Sequence, residues 1–239
     1  MKTLLIIIGV LVLAVVLVGG YLGLVPGVSA IFGSNRPRDL GVRYTQADLQ
    51  SLRSKTGTQY QSLPADASPE ASRRYSGQKP VTAAFTDKEL TAEFNAVSWK
   101  YDPMTDTQVK FNPDGTAEFS GLILRDKLPD YARAIGVASA DAQRVTEQLK
   151  AIPTDPPVYA KGTFRITNNR VATFDVQSLE IGRVTVPESV IKENKSAFIG
   201  LVERRMRAIT GFNAKSATIE NGVLKFDGTL PAAMALTPK

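Results

Sequence analysis

Between Leu4 and Val25 the chain runs for 22 residues without a charge, bounded by Lys2 on one side and Arg36 on the other. As a helix this run spans about 33 Å, enough to cross the hydrocarbon core of a bilayer. Two readings fit it. A cleaved signal peptide would use Lys2 as its charged region and Val28-Ser29-Ala30, after the break at Pro26-Gly27, as its small-residue cleavage site. An uncleaved anchor uses the whole run, which is longer than the roughly 7–15 apolar residues of a signal, and this is the expectation adopted. Arg36, Arg38 and Arg43 outnumber Lys2 and would hold the following side in the cytoplasm, but long domains translocate largely regardless of flanking charge. The expected topology is a single-pass cell-membrane protein whose C-terminal domain is extracytoplasmic.

The chain has neither cysteine nor histidine. Disulfides, thiolate nucleophiles and Cys-based metal sites are excluded, and so are Ser–His and Cys–His catalysis and the usual imidazole ligand. Asp102, Asp106 and Asp114 lie close in sequence, but their spacing is not that of an EF-hand, and Asp114 stands where a turn favours aspartate for backbone reasons. Asp175, Glu180 and Asp227 read as a solvated sheet face, and Trp99 with Tyr101 as core or rim aromatics. No enzymatic activity, no metal and no cofactor are expected.

Charge is uneven along the chain. From Ser34 to Lys79 there are eight basic and four acidic residues, whereas Pro80–Lys239 carries 20 basic and 19 acidic. Either this is a solvated basic linker, or it is drawn to anionic headgroups or wall polymers at the membrane surface. The balanced remainder carries no nucleic-acid motif, so no nucleic-acid partner is expected. Gln61–Gly77, rich in Ser, Pro and Ala, reads as disordered. The expected layout is therefore a membrane anchor or signal peptide at 1–35, a basic, partly disordered juxtamembrane linker with a short helix at 36–79, and an extracytoplasmic domain at 80–239.

Local signals predict an α+β domain: a curved antiparallel sheet built from hairpins, with one long amphipathic helix packed on it, preceded by an N-terminal transmembrane helix. Tyr44–Leu49 and Phe85–Leu90 share one pattern, an aromatic, a capping Thr, an acid three residues on and a Leu, which marks a helix start with a capping box and a hydrophobic staple. Hairpins are predicted around Asn112-Pro113-Asp114-Gly115, Asn168-Asn169 and Asn221-Gly222. Short helices are predicted over Leu128–Ile135 and Ala140–Ala151, and the longest over Glu188–Ile209 behind Pro187. Ile191, Phe198, Val202, Met206 and Ile209 form its apolar stripe.

The stretch Leu179–Pro187 followed by that helix, together with the helix start at Phe85–Leu90, resembles the YpmS-like family of membrane-anchored proteins of Gram-positive bacteria. The resemblance covers about Val81 to Leu230. It implies an anchored extracytoplasmic sheet-and-helix domain of the cell envelope and implies no activity. The segment at Arg36–Lys79 and the helical pair at Leu128–Ala151 depart from the family pattern. By a weaker, fold-level analogy a curved sheet under a long helix resembles half of a TULIP-type lipid-binding module.

The inward face of such a sheet must be covered. Helices can fill it as an ordinary core, or leave an apolar groove for an acyl chain. The groove, if formed, is expected to be lined by Phe111, Phe119, Phe164, Phe174, Phe198, Val202, Met206 and Phe226. The partners expected are the membrane with a lipid or lipid-linked envelope polymer, or, in the alternative, an envelope protein that the domain holds near the membrane as a scaffold.

Overall fold

The computed structural model describes residues 13–18, 22, 25, 27–31, 33–137 and 155–239. Among them, no helix is long and apolar enough to cross a membrane. The expected transmembrane helix is thus not found: of its run only 13–18, 22 and 25 are described, with 13–18 helical. The expected helix Ala140–Ala151 lies outside the described residues.

The fold is α+β, with one large antiparallel sheet and a long helix. Chain order gives α1 (Gln46–Thr56), β1 (Gln59–Ser62), β2 (Arg73–Ser76), β3 (Lys79–Phe85), α2 (Asp87–Ala96), β4 (Met104–Phe111), β5 (Ala117–Ile123), α3 (Leu128–Ala134), β6 (Pro157–Thr167), β7 (Arg170–Ile181), β8 (Val184–Thr185), α4 (Glu188–Ala208), β9 (Asn213–Glu220), β10 (Val223–Leu230) and β11 (Ala233–Leu236). The large sheet runs β3-β10-β9-β6-β5-β4, with β7 on β6 and β8 on β7.

Strand β6 organises this sheet. Along one edge it pairs with β7 from Val158 to Thr167. Its other edge serves β5 through Pro157–Gly162 and then β9 through Arg165–Thr167. The sheet therefore divides at β6, with the β4–β5 hairpin on one side and β9, β10 and β3 on the other. Two register shifts against β7, at Lys161/Gly162 and Arg165/Ile166, add the bending and twist that bulges bring.

Both repeated helix starts form capping boxes. Thr45 accepts from the Asp48 amide while Asp48 reaches back to the Thr45 N–H, and Thr86 and Glu89 do the same on α2. The staples differ: Phe85 is buried with Leu90 packed against its cluster, while Tyr44 is exposed. Thr86→Ala is expected to cost about 1 kcal/mol in urea denaturation, the usual worth of an N-cap. The Asn221-Gly222 turn has positive φ at both residues, 54° and 74°, as a type I′ hairpin requires. Asn168 and Asn169, at 50° and 59°, join β6 to β7 in the same way.

The stretch read as disordered, Gln61–Gly77, holds the end of β1 and all of β2. Both flank β11 in a second, three-stranded sheet, β1 parallel and β2 antiparallel to it. The expected boundary between 79 and 80 falls inside β3. Trp99, Tyr101 and Leu236 form the buried cluster beside this small sheet. The Trp99 indole N–H donates to Ser72 Oγ at 3.2 Å, and the Arg73 guanidinium lies 4.0 Å over its ring. Trp99 is therefore a structural aromatic.

Candidate functional site: an apolar cavity between sheet and long helix

Helix α4 touches the sheet unevenly. In its C-terminal half Glu203 accepts from the Val171 amide at 3.1 Å, and Arg205 donates to the Tyr75 hydroxyl at 3.0 Å. Midway, Phe198 stacks on Phe174 with centroids 5.3 Å apart and planes 17° from parallel. Met206 is the one residue of the helix that is buried. Val190, Ile191, Asn194 and Lys195 of the N-terminal half border a cavity instead.

Beneath that half lies a cavity of about 660 Å³. Its floor comes from alternate strand positions, Phe119 of β5, Ala160 and Phe164 of β6, and Phe174, Val176 and Leu179 of β7. Period-two alternation puts Ala160 with Phe164, and Phe174 with Val176, on one face, and the extra residue of the register shift at Lys161/Gly162 returns Leu179 to it. Val190, Ile191, Asn194, Lys195 and Phe198 form the helical wall, at the spacing of one helix face. Leu90 and Phe94 of α2 close the far side, with the Phe94 ring edge-on to Phe119 at 6.4 Å. The surface presented inside is almost wholly apolar carbon. Phe94 and Phe198 are about half exposed, at 51% and 53%, which places large apolar rings against water at the cavity's rim.

Such a space can exclude water from a hydrocarbon chain, and its volume falls within the range of pockets that hold small ligands, roughly 300–1,000 Å³. Lys195 is the cation on the cavity-facing stripe of α4.

Of the eight residues the sequence nominates, Phe111, Phe119, Phe164, Phe174 and Phe198 line this cavity. Val202, Met206 and Phe226 do not. Phe226 belongs instead to the core with Val81, Phe85 and Ala217, and Met206 lies buried near the anchored end of α4. The apolar stripe of α4 divides: Ile191 and Phe198 line the cavity, whereas Met206, nearer the C-terminal end, is buried away from it. The wall from α2 was missed. Phe94, four residues after Leu90 on a helix with a recognised start, was the available signal.

The acidic residues take separate positions. Asp114 accepts from the Thr116 amide and hydroxyl, at 2.9 and 2.7 Å, within the β4–β5 turn. Asp102 caps the Met104 amide and is half buried, which raises its pKa. Asp106 sits at a register shift of β4 with φ 50°. Among the described residues, no three acidic side chains gather into a group able to hold a metal ion. Asp227 accepts from Thr82 at 3.0 Å and pairs with Lys215 at 3.2 Å on the outer sheet face. Those two contacts lower its pKa, the Thr82 hydrogen bond first.

Comparison with protein-family models, with curated proteins and with solved structures finds no match. The resemblance to YpmS-like proteins thus rests on the sequence motifs alone, and function is argued from the cavity.

Proposed function

We propose that this protein binds the acyl chain of a lipid or lipid-linked envelope component in the cavity between α4 and the sheet, without catalysing a reaction. In this reading residues 4–25 anchor it to the cell membrane, and the domain works on the extracytoplasmic side. The observation that carries the reading is the apolar space of about 660 Å³ that α4 leaves open, with aromatic rings at its rim.

Magnitudes say what kind of binding this would be. Moving a methylene out of water is worth about 0.8 kcal/mol, so a chain of a dozen carbons would strongly prefer the cavity to water. A bilayer offers a lipid the same gain per methylene. Exchange between membrane and cavity is then close to balanced on the chain alone, and headgroup contacts, for which Lys161 and Lys195 of the lining are the available cations, decide retention. That is the behaviour of a lipid carrier or sensor.

Lipids retained by the full-length chain after detergent extraction and size exclusion test this by mass spectrometry. Stoichiometric enrichment of one lipid class over a control single-pass protein is expected. Ala160→Trp, which projects an indole into the cavity between Phe119 and Leu179, should lower the retained lipid at least tenfold and leave thermal stability within a few degrees. Equal lipid content in both proteins would contradict the reading. A scaffold function is the second reading, favoured by the exposed Phe94 and Phe198; in-cell crosslinking from these two positions to one protein partner, with no lipid adduct, would support it instead.

A further inference from the structure

Large apolar side chains that face water are not scattered over this fold. Among the described residues beyond 13–18 they are Tyr44, Phe94, Val184, Val190, Phe198 and Leu201. All but Tyr44 adjoin the apolar cavity. Phe94, Val190 and Phe198 belong to its lining, and Val184 pairs across β7–β8 with Ile181, which also lines it. Leu201 continues the stripe of Val190, Asn194 and Phe198 along α4, at the spacing of one helix face. A clustered apolar surface of this kind marks a contact site, whereas single exposed hydrophobics carry no such meaning.

The path of the N-terminal chain says what meets this surface. The Arg183 amide donates to the Leu22 carbonyl at 3.2 Å, so the end of the uncharged run lies against the β7–β8 turn. A second contact fastens the following chain to the same end of β7: Arg38 donates to both Glu180 oxygens, at 2.9 and 2.8 Å. From Arg183 the next residue is Val184 of the exposed set, and Val186 already lines the cavity. Where residues 4–25 cross a bilayer, Leu22 stands about 5 Å along the helix from the end of the span. That puts the β7–β8 turn, and the apolar surface beside it, at the level where headgroups meet acyl chains.

We infer that the rim formed by Phe94, Val184, Val190, Phe198 and Leu201 docks on the lipid bilayer that the N-terminal run enters, with the cavity opening onto it. Interfacial apolar surfaces bury about 5–10 Å into the headgroup and acyl boundary, which is enough to cover side chains of this size. A lipid chain would then pass between bilayer and cavity without crossing water. The inference rests on the reading of residues 4–25 as the membrane anchor, and it does not require the cavity to be occupied.

The chain has no cysteine, so single replacements can be labelled without a background. Val184→Cys and Leu201→Cys place a bimane fluorophore on the rim but outside the cavity lining, and Lys225→Cys places one on the opposite sheet face, since its neighbour Leu224 lines the cavity. Each full-length variant is reconstituted in vesicles of a phospholipid brominated on its acyl chains. Docking predicts about threefold more quenching at 184 and 201 than at 225. It also predicts that this difference persists in an Ala160→Trp background, where the cavity is filled. Equal quenching at the three positions would overturn the inference. So would quenching lost in Ala160→Trp, because the quencher would then be a bound lipid rather than the bilayer. Labels at 184 and 201 that are shielded from aqueous iodide yet not quenched by bromine would show a second copy or another protein on the rim, and would overturn it too. Release of the chain from the vesicles by alkaline carbonate would remove the anchor and the docking together. Rim quenching that persists in a chain retaining no lipid after extraction would instead sink the cavity reading alone and leave the docking standing.

Discussion

Replacing Lys55 by methionine is expected to destabilise the fold by about 3 kcal/mol at neutral pH, the low end of the cost of unpairing a buried charge. Glu89 is 3% exposed, and its Oε1 lies 2.6 Å from Lys55 Nζ. Ser51 Oγ and the Thr86 amide also donate to its carboxylate, and these remain in the variant, which is why the low end applies. Lys55 additionally donates to the Ala84 carbonyl at 2.8 Å. The cluster joins α1 to α2, and α2 carries the Leu90–Phe94 wall of the cavity.

The same cluster fixes a pH dependence. Burial raises the Glu89 pKa, but hydrogen bonds from Lys55, Ser51 and Thr86 outweigh it and leave the group below the usual carboxylate range. A carboxylate lowered on folding contributes its full stability above its unfolded value and loses it as pH falls through the folded value. Without Lys55, burial is opposed less and the pKa rises. The gap between wild type and Lys55→Met should therefore be widest near pH 7 and narrow in acid, where Glu89 takes up a proton. Urea denaturation at pH 7 and pH 4 measures it. A gap below about 1 kcal/mol at pH 7, or one that grows in acid, would contradict this account of Glu89.

Gly211→Ala is the second large effect, with an expected loss of about 2–4 kcal/mol from left-handed strain and overpacking together. Gly211 has φ +84°, and a Cβ there would stand 2.0 Å from the Gly77 carbonyl oxygen and 3.2 Å from Pro231 Cα. The Gly211 carbonyl is itself taken, accepting from Thr229 Oγ1 at 2.9 Å. The contact packs the end of β2 against the loop entering β9, so it couples the small sheet to the large one. Gly136 supplies the control: its φ is +75°, yet nothing lies within 4 Å of its Cβ position. Gly136→Ala should cost only the strain, about 1 kcal/mol. Equal losses in the two variants would mean that residues 59–77 are not packed into the fold.

That segment also shows where the sequence was opaque. Gln59–Ser62 and Arg73–Ser76 have no apolar alternation, and both become strands only because Ala233–Leu236 lies between them. A partner about 160 to 175 residues away leaves no local trace. The basic residues counted as tether charge are largely spent inside the fold: Arg53 lies 4.6 Å over the Tyr60 ring, Arg73 covers Trp99 and Lys55 holds Glu89. Local signals with a local cause were readable. The capping boxes at Thr45 and Thr86, the Asn221-Gly222 turn and the start of α4 after Pro187 all depend on neighbours within a few residues. The cavity was half readable. Alternation identified Phe119, Phe164 and Phe174, but whether α4 fills the space above them depends on Glu203, Arg205 and Phe198 holding the helix by its second half. That is a long-range geometry which a helical stripe does not encode.

The most direct test of the cavity as a lipid site is photolabelling. The full-length chain is reconstituted in vesicles containing a phospholipid with a diazirine near the end of one acyl chain, irradiated, digested and mapped by mass spectrometry. Acyl-chain binding in the cavity predicts adducts on peptides bearing Phe119, Phe164, Phe174 and Phe198, in addition to any within residues 1–25, and predicts their loss in Ala160→Trp. Adducts confined to residues 1–25, with none on the cavity lining in the wild-type chain, would contradict it.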